Sequence, residues 1–227
     1  MRLVLPALFL SISTAAAPAQ DWQKARDAMV DTQIASRGIT DARVLSVMRS
    51  VPRHLFVPED LRAQSYQDHP LPIGEGQTIS QPYIVALMTE VLRLSGADKV
   101  LEVGTGSGYQ AAILSRLARE VVTIEIRKPL YERAVPLLSS LGCANVTALN
   151  GDGYYGSEAR APFDAIMITA AVNHVPPPLL KQLKDGGRMV LPLGNPFSYQ
   201  ELVLITKNGA SASIEHITGV LFVPLTR

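Results

Sequence analysis

Cysteine is almost absent from this sequence. Cys143 is the only one among 227 residues, so no disulfide can form within the chain and a metal site built from several cysteines is excluded. The four histidines are also scattered, without the spacing that is typical of metal ligands. We therefore expect no bound metal and no catalytic histidine, and a fold that is held by packing and hydrogen bonds.

An excess of either charge is also missing. Lysine and arginine number 21 against 20 acidic residues, a formal net charge of +1, and this balance offers no broad basic surface for nucleic acid. Hydrophobic residues make up 47% and charged residues 18%, values far from those of disordered chains. We expect one folded domain with a sizeable core, a monomer, and no nucleic-acid partner.

The N-terminal apolar run, residues 3–17, is too short for a membrane-spanning helix, which needs roughly 20 residues. Arg2 precedes the run and Ala17-Pro18-Ala19 follows it as a small-x-small cleavage pattern. Residues 1–19 therefore predict a secretory signal peptide, an exported and periplasmic protein, and no stable membrane insertion. The alternatives are an apolar tail or a misassigned start codon, and with them a cytoplasmic location.

Residues 20–80 predict a helical cap in front of the main domain. The spacing of apolar residues predicts a first helix over 21–36, with Gly38 as its stop. A second helix is predicted over 41–49, and it ends before Pro52 because the residue before proline avoids the helical region. Prolines and glycines up to Gly76 predict irregular structure for the rest of the cap.

From residue 81 to residue 227, short apolar segments alternate with helical ones. This alternation is typical of an α/β, Rossmann-like fold, with a mostly parallel sheet covered by helices on both faces. Strands are predicted over 99–103, 121–125, 146–149, 163–169, 188–193, 201–206 and 214–223. Helices are predicted over 82–94, 109–118, 129–141 and 177–183. The turn at Asn208-Gly209 predicts that the last two strands form an antiparallel hairpin.

The strongest local signal is a strand that runs into alternating glycines and then into a helix. Gly104, Gly106 and Gly108 follow the strand at 99–103, with Thr105 and Ser107 between them. Glycine permits positive φ and a close approach of the backbone to a ligand, and the helix start offers unpaired N–H groups. The G-x-G-x-G spacing differs from the dinucleotide G-x-G-x-x-G pattern, whose third glycine would fall at Tyr109. A tight turn without a ligand is the alternative.

Acidic residues follow the next two predicted strands. Glu125 ends one strand, where a carboxylate can accept hydrogen bonds from ribose hydroxyls, and Asp152 lies between Gly151 and Gly153 after the other. Asp152 is placed to bond an adenine amino group. Open α/β sheets bind ligands beyond the carboxyl ends of their strands, so these segments predict one nucleotide-like site.

These motifs resemble a known family. With Glu102 two residues before Gly104, the glycine loop is similar to the S-adenosylmethionine loop of class I methyltransferases. The segment 74–82, GEGQTISQP, resembles a motif of the protein-L-isoaspartate O-methyltransferases, as do 51–54 (VPRH) and 222–226 (FVPLT). The resemblance runs in the family's order from about residue 34 onward. The chain departs from it at Val172, where relatives often have proline, and in ending just after Thr226.

The resemblance implies transfer of a methyl group from S-adenosylmethionine to the free carboxylate of L-isoaspartyl residues, which begins the repair of damaged proteins. It implies Ser80 as the active residue. The implied donor site consists of Thr78, Ile79, Glu102, Gly104, Thr105, Gly106, Ser107, Gly108, Glu125, Asp152, Gly153 and Thr226. On residue type alone, Ser80 could instead be the N-cap of the helix that begins near Pro82.

Two other functions stay open at this point. A methyltransferase for small molecules would keep the glycine loop, Glu125 and Asp152 without needing residues 77–80. A non-catalytic sensor of adenosyl ligands would keep the fold without turnover. Export keeps the sensor open as an alternative, because S-adenosylmethionine is a cytoplasmic metabolite; an exported enzyme would need a donor supply outside the cytoplasm or an inefficient signal.

Overall fold

A computed structural model describes residues 21–227, so the signal peptide predicted for residues 1–19 lies outside the described residues. The α-helices are α1 Trp22–Met29, α2 Ala42–Ser50, α3 Pro82–Val91, α4 Tyr109–Ser115, α5 Lys128–Ser140 and α6 Pro177–Gln182. The strands are β1 Leu71–Gly74, β2 Gln77–Ile79, β3 Lys99–Val103, β4 Glu120–Glu125, β5 Val146–Asn150, β6 Phe163–Ile168, β7 Leu183–Gly194, β8 Gln200–Asn208 and β9 Ser211–Val220.

Strands β3 to β9 form one sheet in the order β5-β4-β3-β6-β7-β8-β9. The pairs from β5 to β7 are parallel, and β7–β8 and β8–β9 are antiparallel. The chain leaves β3 toward β4 and β5 and then crosses back to place β6 on the other side of β3. This reversal opens a crevice at the carboxyl end of β3, the usual ligand position in such sheets. The Rossmann-like fold predicted from the sequence is confirmed.

The central parallel strands β3, β4 and β6 are apolar because both of their faces are covered. Leu101, Val122 and Ile166 have no exposed surface, and each fully buried side chain of this size contributes roughly 1.5–3 kcal/mol. One cluster of buried residues extends from Met29 in the cap to Leu204 in β8. The cap therefore shares its core with the main domain, and the predicted boundary at residue 80 stays a prediction.

The first helix is shorter than predicted. It begins after Asp21, whose side chain accepts a hydrogen bond from the N–H of Lys24, but the α-helix ends at Met29 and continues as a π-helical turn, Val30–Ile34. The hydroxyl of Thr32 donates to the Ala28 carbonyl within this segment, a bond that competes with the regular helix. Gly38 ends the segment with a φ of 97°, as predicted. The second helix also agrees with the prediction.

The prediction that residues 53–76 are irregular is wrong. The segment contains two 3-10 helices, Arg53–Phe56 and Glu59–Gln64, and β1 pairs with β2 as an antiparallel hairpin. Its turn depends on positive φ at Gly74, Glu75 and Gly76. Such short strands leave no alternating pattern to detect, and Pro72 argues against a strand except at an edge.

At the C-terminal end, the hairpin turn at Asn208-Gly209 is confirmed, with Gly209 at a φ of 61°. Three predicted strand bounds are wrong by three residues or more. β7 begins at Leu183 rather than at residue 188, because Leu183 already pairs with Phe163 of β6; a bulge at residues 184–187 separates this pair from the regular pairing that starts at Arg188. β9 begins at Ser211 and ends at Val220, each three residues before the predicted bound. After β9, Pro224 forms an isolated parallel bridge with Ala171. Across residues 21–227, each helix is either too short or too polar to cross a bilayer.

Candidate active site

The glycine loop connects β3 to α4 across the crevice. Gly104, Gly106 and Gly108 have φ values of 99°, 55° and 89°, a region that other residues enter only with strain. The N–H of Gly104 donates to the Ile124 carbonyl at 2.9 Å, so the loop is tied to the neighbouring strand. The glycines thus permit a turn that ordinary side chains would distort.

Glu125 ends β4 beside this loop and is only 5% exposed. Its carboxylate accepts hydrogen bonds from the N–H of Gly106 at 2.7 Å and from the N–H of Arg127 at 2.9 Å. Each oxygen keeps a further acceptor position, since an ionised carboxylate has about four. The held carboxylate can therefore accept hydrogen bonds from the two hydroxyls of a ribose.

The loop and Glu125 line a cleft of about 530 Å³. Among the residues predicted for the donor site, the cleft is lined by Thr78, Gly104, Gly106, Glu125, Gly153 and Thr226. A second cleft of about 420 Å³ lies across the loop and shares Thr78, Gly104 and Gly106 with the first. It is also lined by Ile79, Ser80, Thr105 and Ser107. The structure therefore brings most of the predicted site residues together around one loop.

Glu102 is not part of either lining. It is fully buried within the sheet, where Oε2 accepts a 2.6 Å hydrogen bond from the Thr123 hydroxyl. That hydroxyl lies 2.6 Å from the hydroxyl of Thr105 in the loop. Burial raises the pKa of Glu102 to about 8, the nearby Glu125 adds to the rise, and the bond from Thr123 opposes it. Glu102 therefore supports the glycine loop indirectly, through the hydroxyls of Thr123 and Thr105. A direct contact between Glu102 and the donor stays a prediction.

Gly108 and Asp152 also lie beside the clefts rather than in their linings. Gly108 is the N-cap of α4 and packs near Ala134 and Leu138 of α5. Asp152 accepts a 2.9 Å bond from the N–H of Tyr154, and its other oxygen lies 3.7 Å from Nε of Arg227. The predicted contact between Asp152 and adenine stays a prediction.

Arg227 covers the segment that follows Asp152. Its guanidinium lies 4.1 Å from the centre of the Tyr154 ring and donates to the Tyr155 hydroxyl at 2.6 Å. The neighbouring Thr226 lines the first cleft, whereas Arg227 packs beside it on Tyr154 and Tyr155.

A third, larger depression of about 1540 Å³ lies on the other side of Ser80, and we call it the apolar groove. Its lining consists of Pro70, Thr78, Ser80, Gln81, Ile84, Tyr199, Gly219, Val220, Leu221, Phe222, Val223 and Pro224. Leu221 is 80% exposed although it is a large apolar residue, a condition that marks binding surfaces when such residues gather. Thr78 and Ser80 line both the second cleft and the groove, so they form the wall between them.

Ser80 is not the N-cap of α3. Gln81 occupies that position and makes no capping hydrogen bond with its side chain. Within residues 21–227, the Ser80 hydroxyl has no hydrogen-bond partner, whereas the Ser80 carbonyl accepts a 2.7 Å bond from Nη2 of Arg53. The backbone of Ser80 is thus fixed while its hydroxyl stays available.

Sequence reasoning missed Thr169, which lines both clefts. Its hydroxyl lies between the carbonyls of Val103 and Gly104, at 3.0 and 2.7 Å, so it holds the end of β3 and the first glycine. The signal that could have found it is a lone hydroxyl at the end of an apolar strand, opposite the glycine loop. Within the part of the chain that the structure describes, no three potential metal ligands gather.

A glycine loop at the switch point of a parallel sheet, next to an acid at the neighbouring strand end and a separate apolar groove, defines a class I methyltransferase. Comparisons with known proteins specify the family. The model of the protein-L-isoaspartate(D-aspartate) O-methyltransferase (PCMT) family matches residues 24–227. The chain belongs to this family.

Individual relatives agree with this result. Protein-L-isoaspartate O-methyltransferase 2 of Shewanella sediminis is 64% identical over 222 residues, which cover 96% of this chain and 91% of the relative. Protein-L-isoaspartate O-methyltransferase of Opitutus terrae is 52% identical, with 100% and 97% covered. The family resemblance and the enzyme class expected from the sequence, an S-adenosylmethionine-dependent protein carboxyl methyltransferase, are confirmed.

Solved structures show the same likeness. A protein-L-isoaspartate O-methyltransferase superimposes with a TM-score of 0.80 at 28% identity, covering 90% of this chain and 66% of that one. A Plasmodium falciparum protein-L-isoaspartate O-methyltransferase, solved in complex with S-adenosyl-L-homocysteine, gives a TM-score of 0.77 at 25% identity, with 88% and 98% covered.

Proposed function

We propose that this protein transfers the methyl group of S-adenosylmethionine to the free carboxylate of L-isoaspartyl residues in damaged proteins. The observation that carries the proposal is the wall formed by Thr78 and Ser80, which separates a glycine-lined cleft from the apolar groove. The cleft suits the donor, since Glu125 can accept bonds from ribose hydroxyls and the glycines permit close approach. The groove suits an extended segment of polypeptide.

The reaction requires alignment rather than a general base. A free carboxylate has a reference pKa of about 3.3–4.3 and is already ionised at neutral pH. Its oxygen has to be held in line with the methyl group, and such positioning is a major source of rate enhancement. The Ser80 hydroxyl can donate a hydrogen bond that orients the carboxylate without protonating it. Attack by the oxygen forms the ester bond as the carbon–sulfur bond of the donor breaks.

The surroundings of Ser80 favour this charge change. An anion and a cation combine to give two neutral groups, so a dry site of low polarity promotes the reaction. Among the described residues, those that line the second cleft and the apolar groove include no charged side chain. The methyl ester can then cyclise to a succinimide, and hydrolysis of the succinimide returns part of the material to normal aspartate.

The function can be tested with label from S-adenosylmethionine and paired peptides that differ only in aspartate or isoaspartate. We expect base-labile label on the isoaspartyl peptide alone. Transfer to small carboxylic acids but not to the peptide would support a small-molecule methyltransferase. Binding of the donor without transfer to any acceptor would support a sensor. Either outcome would contradict the proposal.

The role of Ser80 can be tested by Ser80→Ala. We expect kcat to fall by 10-fold or more, because one hydrogen bond to a charged group contributes about 1.5–3 kcal/mol, while the Kd of S-adenosylhomocysteine stays within about 2-fold. Ser140→Ala, at an exposed position in α5, is the matched control. Equal losses of turnover and donor affinity in Ser80→Ala would contradict a role toward the acceptor.

We further propose that the protein acts as an exported monomer after removal of residues 1–19. The support is the short apolar N-terminal run and the small-x-small pattern at Ala17-Pro18-Ala19. Cell fractionation followed by intact-mass measurement should find a chain that starts near Gln20 in the periplasm, with the mass of one chain by light scattering. A full-length chain in the cytoplasm, or a stable dimer, would contradict this proposal.

A further inference from the structure

Arg53 is buried without an acidic partner. It begins the 3-10 helix Arg53–Phe56 and has no exposed surface. Within residues 21–227 no carboxylate lies at ion-pair distance from it, and Nη1 has no hydrogen-bond partner. Burial of a cation without an anion is unfavourable, and burial lowers the pKa of Arg53 to about 10, although the group stays charged at neutral pH. The unfavourable burial of this cation suggests that Arg53 serves a role beyond stabilising the fold.

The bonds of the guanidinium lead to the acceptor side of the site. Nη2 donates to the Ser80 carbonyl at 2.7 Å, and Nε donates to the Ser65 carbonyl at 2.8 Å. Arg53 thus fixes the backbone of Ser80 to the buried 3-10 segment of the cap. The planar fork of arginine suits this task, because it holds two acceptors at set directions.

The face of the same guanidinium contacts the donor side. Its Cζ lies 4.9 Å from the centre of the Tyr109 ring, a cation–π distance. Tyr109 begins α4 directly after the glycine loop, is almost fully buried, and lines the second cleft together with Ser80. One rigid side chain therefore joins the two walls of that cleft.

We propose that Arg53 is a positioning residue for methyl transfer, and that it sets the separation between Ser80 and the start of α4. The inference rests on the proposed function, because it assigns Ser80 to the acceptor and the glycine loop to the donor. A misplacement of about 1 Å in such a site can lower the rate on the order of 100-fold. Loss of Arg53 should therefore reduce kcat while donor binding, which depends mainly on the loop and Glu125, changes little.

The test compares Arg53→Met and Arg53→Lys with Phe163→Leu. Phe163 is fully buried at the amino end of the central strand β6, whereas the crevice lies at the carboxyl ends of the strands. Its substitution therefore destabilises the fold away from the crevice. Rates are measured with an isoaspartyl peptide, well below each melting temperature, along with the Kd of S-adenosylhomocysteine. We expect kcat to fall roughly 100-fold in Arg53→Met and less in Arg53→Lys, whose ammonium can bond one carbonyl. Donor Kd should stay within about 3-fold, and Phe163→Leu should keep its kcat.

Unchanged kcat in a folded Arg53→Met protein would overturn the inference, as would parallel losses of kcat and donor affinity. If Arg53→Met does not fold, Tyr109→Leu takes its place, since it removes the stacked ring and leaves the bonds to Ser80 and Ser65. A selective loss of kcat in Tyr109→Leu and Arg53→Lys supports the inference, and normal kcat in both overturns it. Absence of transfer by the wild-type protein would instead refute the proposed function, so the two failures are distinguishable.

Discussion

Gly104→Ala is the substitution for which the structure makes the sharpest prediction. Gly104 has a φ of 99°, and a Cβ atom there would lie well under 3.0 Å from the Thr169 hydroxyl oxygen. The positive φ costs about 1–2 kcal/mol for a residue with a side chain, and the steric clash costs typically about 1–3 kcal/mol. The expected loss of unfolding free energy is therefore about 2–5 kcal/mol. In a chain of this size, each kcal/mol lowers the melting temperature by roughly 2–4 °C.

Two other glycines separate these contributions. Gly38 has a nearly equal φ of 97° with no atom near its would-be Cβ, so Gly38→Ala should show the backbone cost alone. Gly96 has neither a positive φ nor a near neighbour, and Gly96→Ala should be close to neutral. In a Thr169→Ala background, Gly104→Ala should cost no more than Gly38→Ala, because the clashing oxygen is gone.

Urea unfolding gives the free energies, and calorimetric titration with S-adenosylhomocysteine gives the donor affinity. Because Gly104 lines both clefts, we expect its alanine variant to lose at least 10-fold in affinity, whereas Gly38→Ala should bind normally. A Gly104→Ala variant no less stable than Gly38→Ala would contradict this steric explanation. So would an equal loss of unfolding free energy from Gly104→Ala with and without Thr169→Ala.

Three further predictions follow from the site. The raised pKa of Glu102, about 8 against 4.5 for the free group, means that the folded state keeps a proton that the unfolded state loses. Between those pH values, this group should lower the free energy of unfolding by up to about 1.4 kcal/mol per pH unit, and Glu102→Gln should remove that contribution. Urea unfolding from pH 5 to 8 measures it, and parallel profiles for the two proteins would contradict the prediction. Glu125→Gln should weaken binding of S-adenosylhomocysteine by about 10-fold or more, since a charged acceptor is lost; unchanged titration heats and affinity would argue against a ribose contact. Leu221→Ala should raise the KM for an isoaspartyl peptide severalfold with little loss of stability, while Ile214→Ala on exposed β9 should leave it unchanged; equal KM values in both variants would remove Leu221 from the acceptor surface.

The glycine loop and Glu125, which line the first cleft, could be placed from the sequence at one edge of a parallel sheet. The glycine loop and Glu125 belong to strands with strong apolar signals, and parallel topology brings strand ends to one edge. This part of the site is predictable because a buried strand, a glycine turn and a helix start each have a recognisable pattern within a few consecutive residues. The order of the strands around β3 was not predicted, because the alternation of strands and helices does not determine where the chain crosses back.

The residues around the apolar groove were harder to predict from the sequence. The β1–β2 hairpin has strands of four and three residues, and its turn places Glu75 at a φ of 54°, which residue type does not indicate. The apolar groove combines residues 70–84 with residues 199–224, and no local pattern reports a contact over that separation. Arg53 and Thr169 were missed for the same reason, since their partners are distant in sequence.

A crystal structure of the protein with S-adenosylhomocysteine and an isoaspartyl peptide would show whether Ser80 lies between bound donor and bound acceptor, as we propose. We expect the adenosyl ligand against Gly104, Gly106 and Glu125, and an isoaspartyl carboxylate oxygen within roughly 2.6–3.2 Å of the Ser80 hydroxyl. A peptide bound away from the apolar groove, or a carboxylate far from Ser80, would contradict that proposal.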